Sequence, residues 1–480
     1  MAGQVRYIVL SDLHLGAENS ILTRLQQGTT LADVQHPSPV MTVLVDCLRC
    51  VVSGNESGEL PTMIAAGDLV ELSLASPSLS LPVVAQFVDA LAGDGAPVVA
   101  SDAIFIPGNH DHHLWELSRE RLAVDYLRSG MPIEKGPTSW HTSSMFLERP
   151  PFYEAPLLEA ALDYLRKSAR AKIRVVYPVL ALTSPDGGRA VLITHGHYME
   201  RVGTLFSAMA RVADPSTPPL VDVDEIEREN WAWVDFFWGS MGRSSRAGAL
   251  VEKLYDSMQD PRAVQTMLGG LAVSVTKRQN PLLARLEGWG IRRAAGHIVA
   301  ARLHERERDR TGEVITANSR HGLAAYLTAV RHSFAREWDR PLPGDVTMVV
   351  GHTHKPFSQW WSDPEWPAGG MRVVNSGGWV VDHVVPQPLM GGAVVLVSDE
   401  LDVVSLRMYQ QLGTPSAWRI AVEAVEPTPG GEAFAAHVRS LVKPGEPPWS
   451  TFAAAVDELV GERREAMREI LEGDLKLLRD

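Results

Sequence analysis

Short clusters of metal-binding side chains recur along this 480-residue chain, each directly after a predicted strand. Five such blocks are SDLHLG from Ser11, GDLVE from Gly67, GNHDHH from Gly108, THGHY from Thr194 and GHTH from Gly351, and a sixth, NSGGW from Asn375, follows them. Asp, Asn and His are ligands for divalent ions of the Mn, Fe or Zn kind, and their number exceeds what one ion uses. The pattern predicts a fold that gathers distant strand ends around two metal ions.

The segments before the blocks explain how distant positions could meet. They are short apolar runs rich in β-branched residues, typical of buried strands, at 5–10, 63–66, 103–106, 190–193 and 346–350. In layered α/β proteins the loops converge beyond the strand ends, while the sheet holds them rigid. Ligands more than 300 residues apart in the sequence are therefore expected to share one site.

The spacing within the blocks carries a second prediction. In an extended segment, Asp12 and His14 point to one side while Leu13 faces the core, and His352 and His354 repeat this spacing. Glycines let the backbone turn tightly beside a bound group, and they stand at positions 67, 108, 196 and 351. One such pair arises easily by chance. Five in succession, all at strand ends, indicate a metal site.

With these blocks the chain resembles the calcineurin-like metallophosphoesterase superfamily, whose pattern is DxH, GDxx(D/E), GNH(D/E), an HGH-type block and GHxH, in that order. The resemblance covers roughly residues 1–200 and 345–410. It implies an α/β fold, a layered β-sandwich flanked by helices. It also implies a phosphoric ester hydrolase that uses two divalent ions.

The resemblance further implies specific metal ligands. One ion would be bound by Asp12, His14, Asp68 and His354, and the other by Asp68, Asn109, His195 and His352, with Asp68 bridging. His110 is similar to the family's proton donor or phosphate-stabilising histidine, which lies beside the metals without binding them. Glu71 and Asp111 are alternative partners that could orient His110. Related serine/threonine phosphatases place a carboxylate three residues after the bridging Asp, which favours Glu71.

Three further histidines in the blocks stay open. His197 is either a partner of a metal ligand or a simple loop residue. His112 and His113 are adjacent, so at most one of them is expected to face the site.

Charge counting favours a phosphate ester as the substrate. Two divalent ions, the carboxylates of Asp12 and Asp68, and a bridging hydroxide leave about one positive charge, which attracts an anionic phosphoryl group. Metal-bound water loses its proton near neutral pH. The reaction we infer is attack of metal-bound hydroxide on a phosphomonoester, phosphodiester or pyrophosphate bond, with His110 assisting the leaving oxygen.

Departures from the family pattern narrow the class. GDLVE lacks the Asp-Arg-Gly continuation of serine/threonine protein phosphatases, and the blocks together are most similar to the bacterial branch that contains the UDP-diacylglucosamine hydrolases. SDLHLG also occurs in nuclease subunits of the SbcD type, so a DNA-processing nuclease is the second hypothesis. A net charge of −13 argues against a stable nucleic-acid complex, because such binding depends on Lys and Arg. A non-catalytic scaffold is the third hypothesis.

The chain is long enough for several domains. We predict a discontinuous catalytic domain (1–198 and 346–412), a helical insertion that caps the site (199–345) and a C-terminal extension (413–480). Trp231, Trp233 and Trp238 in the insertion either pack it against the core or line the site for a lipid or nucleobase. In the extension, prolines at 427–448 predict a loosely structured connection, and a final helix is predicted from Ser450.

The remaining features concern location. Two cysteines, Cys47 and Cys50, fit a reducing compartment, and they lack partners for a zinc or redox role. No charged leader precedes an apolar stretch, and no apolar run is long enough to span a bilayer. We therefore expect a cytoplasmic protein, with an amphiphilic or nucleotide-containing substrate. Peripheral membrane contact and self-association stay open.

Overall fold

A computed structural model describes residues 3–73, 75–93, 95–130, 140–165, 172–240, 312–385, 387–410 and 420–477. Within these ranges the chain has mixed α/β structure, with two mixed β-sheets and nine α-helices. It divides into two compact units, Met1–His195 with Glu337–Asp480, and Gly196–Arg336. The residues that we predicted as a C-terminal extension therefore fall within the first unit.

Thirteen strands are present in the described part of the chain, all of them in the first unit. In chain order they are β1 (Val5–Leu10), β2 (Thr62–Ala66), β3 (Ala103–Ile106), β4 (Tyr153–Glu154), β5 (Ile173–Val175), β6 (Val179–Thr183), β7 (Arg189–Thr194), β8 (Asp345–Val350), β9 (Phe357–Ser362), β10 (Gly370–Asn375), β11 (Gly391–Ser398), β12 (Val403–Gln410) and β13 (Ala421–Ala424). The predicted strands before the five blocks match β1, β2, β3, β7 and β8.

The order of the strands decides where the blocks meet. The larger sheet has the order β13-β12-β11-β1-β2-β3-β5-β4, and the smaller one β6-β7-β8-β10-β9. Strands β1, β2 and β3 are parallel neighbours in the first, and β7, β8 and β10 are parallel neighbours in the second. Parallel neighbours end at the same edge of a sheet. Three blocks therefore leave each sheet from one edge.

Helices pack on the larger sheet, and further helices lie in the described part of the second unit. They are α1 (Pro39–Val52), α2 (Pro77–Ala92), α3 (His112–Arg128), α4 (Pro156–Leu165), α5 (Leu205–Ala213), α6 (Val223–Val234), α7 (Ala317–Glu337), α8 (Pro429–Leu441) and α9 (Trp449–Leu477). One buried cluster joins β1 and β11 of the larger sheet to α1, α2, α8 and α9. A second cluster joins apolar side chains of both sheets, with Ile64 and Ile104 from the larger and Ile193 and Val349 from the smaller.

The prediction of a loosely structured connection at 427–448 is wrong, because helix α8 occupies most of it. Thr428 caps the helix: its hydroxyl accepts a hydrogen bond from the backbone N–H of Gly431 at 3.0 Å. Pro429 stands in the first turn, where its missing N–H costs nothing and its fixed φ suits a helix. Proline marked the start of a helix here rather than a loop.

The final helix α9 begins one residue before the predicted start and packs on the core. Phe452 and Val456 are fully buried and belong to the same cluster as α1. Arg463, almost fully buried, donates to the backbone carbonyl of Thr23 at 2.6 Å. The helix therefore docks on its own chain along these residues.

Aromatic side chains of the insertion pack within the second unit. Trp233 stacks on Phe237 with ring centroids 4.6 Å apart, and Phe237 meets Trp238 edge to face at 4.7 Å. The Trp233 indole N–H also donates to the Val202 carbonyl at 2.9 Å. These contacts place Trp233 and Trp238 among residues of the insertion itself, and packing against the core or lining the site stay predictions. Residues 241–311 of the insertion lie outside the described residues, and the cap stays a prediction.

Among the described helices, none has both the length and the apolar composition needed to cross a membrane.

Candidate metal centre

The predicted metal ligands lie together in the first unit, beyond the strand ends. Backbone hydrogen bonds join the blocks: the N–H groups of Asp12 and His14 donate to the carbonyls of Gly67 and Asp68, at 3.0 and 2.9 Å. Between the last blocks, the Gly351 N–H donates to the His195 carbonyl at 3.0 Å. The loops are thus held by each other as well as by the sheets.

Among the predicted site residues, three buried groups of side chains could each hold a metal ion. In each group the ligand atoms lie within 4.8 Å of one another, and the groups are Asp12 with His14 and His354, Asp68 with His195 and His352, and His14 with Asp68 and His110. The Asn109 side-chain oxygen lies 2.9 Å from Nε2 of His195. All seven residues predicted as metal ligands are therefore brought together, and Asp68 lies between the two sets.

The polar contacts of the His195 ring favour a cation beside its Nε2 atom. Its Nδ1 lies 3.2 Å from the carbonyl oxygen of Ala66, which can only accept, so Nδ1 carries the proton. Its Nε2 lies 3.2 Å from Oδ2 of Asp68. In the neutral ring this places a lone pair against a carboxylate oxygen. A positive charge between the two atoms, from a proton or a metal ion, relieves the repulsion.

Two further imidazoles are oriented by carboxylates. Nδ1 of His14 lies 2.9 Å from Oε2 of Glu71, and Nδ1 of His354 lies 2.6 Å from Oδ2 of Asp382. A carboxylate at Nδ1 leaves the Nε2 lone pair for a metal, which is the usual arrangement around metal-binding histidines. Nε2 of His14 is buried and has no hydrogen-bond partner among the described residues, and Nε2 of His354 lies 3.4 Å from Oδ1 of Asp12. This donor set fits a divalent cation.

The pKa values of His195 and His354 also indicate that carboxylates surround the site. Burial alone would lower the pKa of His195, but Asp68 and Asp12 raise it to about 9. For His354, burial again acts downward, and Asp382 and Asp12 raise the pKa to about 10. A surrounding that favours a protonated imidazole this strongly also favours a metal ion in place of the proton.

The ligand residues have an unusual backbone conformation. Five of the six non-glycine residues with positive φ in the described part of the chain are predicted ligands, namely Asp12 (52°), His14 (45°), Asp68 (50°), His352 (70°) and His354 (57°). Such conformations cost on the order of 1–3 kcal/mol each and gather at functional sites. The prediction that these pairs lie in extended segments is therefore wrong. Their side chains meet because left-handed residues turn the backbone beyond the strand ends.

Two glycines of the blocks are needed for close approach. A Cβ atom at Gly351 would overlap the Asp12 carboxylate and the Ser11 hydroxyl. A Cβ at Gly108 would overlap Oδ1 of Asp68. Neither position has room for a side chain while these carboxylates keep their place.

His110 lies beside the ligands, and Glu71 is the carboxylate that it contacts. Nδ1 of His110 lies 3.1 Å from Oε2 of Glu71 and 3.0 Å from the Ser73 hydroxyl. Its Nε2 is buried and has no hydrogen-bond partner within the described residues. Burial lowers the pKa of this imidazole more than Glu71 and Asp68 raise it. The ring therefore offers one open nitrogen beside the metal ligands.

The Asp111 carboxylate binds backbone N–H groups, which differs from the role of orienting His110 considered for it from the sequence. Its carboxylate accepts backbone N–H groups from Leu69 and Gly108, both at 2.7 Å, and from Asp68 and Val70, both at 3.3 Å. Burial and the nearby Asp68 raise its pKa to about 7. Asp111 joins the second and third blocks, and Glu71 takes the position beside His110.

Asn375 in the sixth block forms a hydrogen bond to the backbone of the fifth block. The Asn375 amide N–H donates to the Gly351 carbonyl at 2.7 Å, and its oxygen accepts from the Gly377 N–H at 2.7 Å. Ser376 and Ser11 lie next to it, with their hydroxyl oxygens 2.6 Å apart. The Ser11 hydroxyl also donates to Asp12, which leaves the other carboxylate oxygen of Asp12 facing His354.

Sequence reasoning missed Asp382 and these two serines, because no spacing marks them as partners of ligands. Of the open histidines, His112 is buried with its ring on Tyr177, at 5.5 Å between centroids, and His113 is partly buried. His197 belongs to the second unit, where its ring lies 4.2 Å from that of Tyr198.

The net charge of the site that was counted from the sequence left out two carboxylates. Glu71 and Asp382 are in direct contact with ligand imidazoles and add two negative charges. The count expected for two ions, Asp12, Asp68 and a hydroxide thereby changes from about +1 to about −1. In the predicted two-metal site, a phosphoryl group would be attracted by direct contact with the ions rather than by a net positive charge.

No protein-family model and no curated protein matches the chain. Among the solved structures that match is a cold-active protein-tyrosine phosphatase from a psychrophilic Shewanella species, at 11% identity over 88% of this chain and 81% of that chain. Its TM-score of 0.25 is too low to establish a common fold.

Proposed function

We propose that this protein is a metal-dependent phosphoric ester hydrolase of the calcineurin-like kind, with two divalent ions. The observation that supports it most is the pair of buried donor groups on either side of Asp68, one with Asp12, His14 and His354 and the other with His195 and His352. Two ions sharing one carboxylate are the usual centre for displacement at phosphorus. The native metal, Mn, Fe or Zn, is left open by this donor set.

When bound, the ions would supply an activated water and positive charge for the phosphoryl oxygens. The chain's own residues hold the geometry. Asp111 ties the second and third blocks together, and Asn375 fixes the turn that presents His352 and His354. Fixed ligands reduce the reorganisation needed during reaction.

His110 and Glu71 would handle the proton. In the proposed reaction, the protonated imidazolium form of His110 donates its Nε2 proton to the leaving oxygen, and Glu71 at Nδ1 stabilises this charged form against the opposing effect of burial. Because Nδ1 is held by Glu71 and Ser73, the open Nε2 is the nitrogen left for the substrate. A positioned acid of this kind contributes about 10²- to 10⁴-fold to the rate.

The test combines metal analysis with a panel of substrates: an aryl phosphomonoester, an aryl phosphodiester, nucleotide diphosphate lipids, cyclic nucleotides and single-stranded DNA. We expect two metal equivalents per chain and hydrolysis of at least one ester. Activity on DNA alone would favour the nuclease. Bound metal without hydrolysis would favour the scaffold.

The matched variants are Asp68→Ala and Asp163→Ala. Asp68 faces His14 and His195, at 3.7 and 3.2 Å, whereas Asp163 is exposed on α4. Asp68→Ala should abolish hydrolysis and lower the metal content, and Asp163→Ala should behave as wild type. If Asp68→Ala keeps both ions and the wild-type rate, the ligand assignment is wrong.

A further inference from the structure

Asp382 contacts a predicted metal ligand, although it belongs to none of the metal-binding blocks. Its Oδ2 lies 2.6 Å from Nδ1 of His354, and the two side chains are only 11% and 3% exposed. A Cβ at Gly378 would lie 2.6 Å from Cδ2 of His354. The imidazole therefore contacts the Asp382 carboxylate and closely approaches the backbone of Gly378.

The backbone around Asp382 is tied to the first block. The Trp379 N–H donates to the Asp12 carbonyl at 2.9 Å, and the Val381 N–H donates to the Asn19 carbonyl at 2.9 Å. Val380 also forms an isolated bridge with Ser20. These bonds hold Asp382 in register with the residues that supply Asp12.

The two predicted metal positions differ in the groups that contact the Nδ1 atoms of their histidines. Carboxylates lie behind both imidazoles of the first position, Glu71 at His14 and Asp382 at His354. In the second position, His195 has a neutral backbone carbonyl in the same place, and Nδ1 of His352 lies 3.3 Å from Nε2 of His195. A carboxylate makes the imidazole a more basic ligand, and losing such a partner typically costs 10- to 100-fold in metal affinity.

We propose that Asp382 is a positioning residue for His354, and that the position formed by Asp12, His14 and His354 binds its metal more tightly than the position that contains His195. This inference rests on the two-metal site of the proposed function, but it does not depend on the reaction. Asp382 would act through His354, by keeping the proton on Nδ1 and turning Nε2 toward the ion.

The experiment titrates the metal-free protein with Co²⁺, followed by calorimetry and by the visible absorption of the bound ion. For the wild type we expect two binding steps of different affinity. Asp382→Ala should weaken the tighter step about 10- to 100-fold, change its absorption spectrum and leave the weaker step unchanged. Asp382→Asn keeps an acceptor oxygen without the charge, and it should fall between wild type and Asp382→Ala.

Asp33→Asn is the matched control. Asp33 also pairs with a histidine, His36, at 2.9 Å, but that imidazole is 65% exposed at the surface. This variant should show both Co²⁺ steps unchanged. A thermal unfolding curve without metal shows that each variant is folded.

Two equal affinities in the wild type would overturn the proposal. So would an unchanged tighter step in folded Asp382→Ala and Asp382→Asn, or an equal loss in both steps. Wild type that binds two Co²⁺ ions and hydrolyses no ester would instead refute the proposed reaction, and the inference about Asp382 would stand.

Discussion

Glu71→Gln tests whether one carboxylate serves both the metal site and the proton donor. Oε2 of Glu71 lies 2.9 Å from Nδ1 of His14 and 3.1 Å from Nδ1 of His110, and Oε1 accepts the Ser73 N–H at 2.7 Å. Burial alone would raise the pKa of this carboxyl, but His110 and His14 hold it below its ordinary value, so it is charged. Glutamine keeps the shape, loses the charge and places an N–H₂ group against one of these bonds.

The structure sets the expected size of two separate effects. Losing the partner of His14 should weaken metal binding about 10- to 100-fold. Losing the partner of His110 should lower kcat at saturating metal by up to about 10²- to 10⁴-fold, the full contribution of a positioned acid. Both effects should appear in Glu71→Gln, because the same oxygen accepts from both rings.

The assay measures Mn²⁺ affinity by calorimetry and kcat with an aryl phosphate ester at saturating Mn²⁺. His110→Ala is the comparison, because it should lower kcat alone. Loss of kcat in Glu71→Gln with wild-type Mn²⁺ affinity would show that the bond to His14 contributes nothing to metal binding. Wild-type values in both measurements would refute the shared role.

Three further predictions follow from the same geometry. His110→Ala should lose about 10²- to 10⁴-fold in kcat, with its metal content unchanged. An ester whose leaving group has a low pKa should recover much of the lost rate. Loss of metal in this variant would show that His110 is a ligand. Gly351→Ala should lose metal, and its free energy of unfolding in a denaturant titration should fall by roughly 1–3 kcal/mol. Gly344→Ala is its control, because a Cβ there meets nothing within 4 Å. Equal metal content and stability in the two variants would contradict the overlap with Asp12. Because Glu71 and Asp382 change the net charge counted for the site from about +1 to about −1, kcat/KM should be higher for a singly charged aryl phosphodiester than for a doubly charged monoester. The reverse order would contradict this charge count.

Local sequence patterns were enough to predict the elements that carry the site. The apolar runs before the five blocks are the strands β1, β2, β3, β7 and β8. The predicted final helix is α9, which begins at Trp449. These features depend on residues near one another in the chain, which is where periodicity and capping preferences operate.

Other features depend on contacts that no local pattern contains. Asp382 lies 28 residues after His354 in a loop without periodicity, and Trp379 and Val381 in that loop donate backbone hydrogen bonds to Asp12 and Asn19. The left-handed conformations were missed for a related reason. Asp and His at such positions are held by tertiary hydrogen bonds, whereas sequence patterns reveal such turns mainly through glycine.

The arrangement of three parallel strands in each sheet also bears on when the molecule can acquire its metals. Asp12, Asp68 and Asn109 follow strands of the larger sheet, while His195, His352 and His354 follow strands of the smaller one. A growing chain therefore holds no complete set of predicted ligands until His354 has been synthesised, about three quarters of the way along the 480 residues. Once bound, each ion would join the two sheets as a cross-link, so metal supply would govern the resistance of the first unit to unfolding.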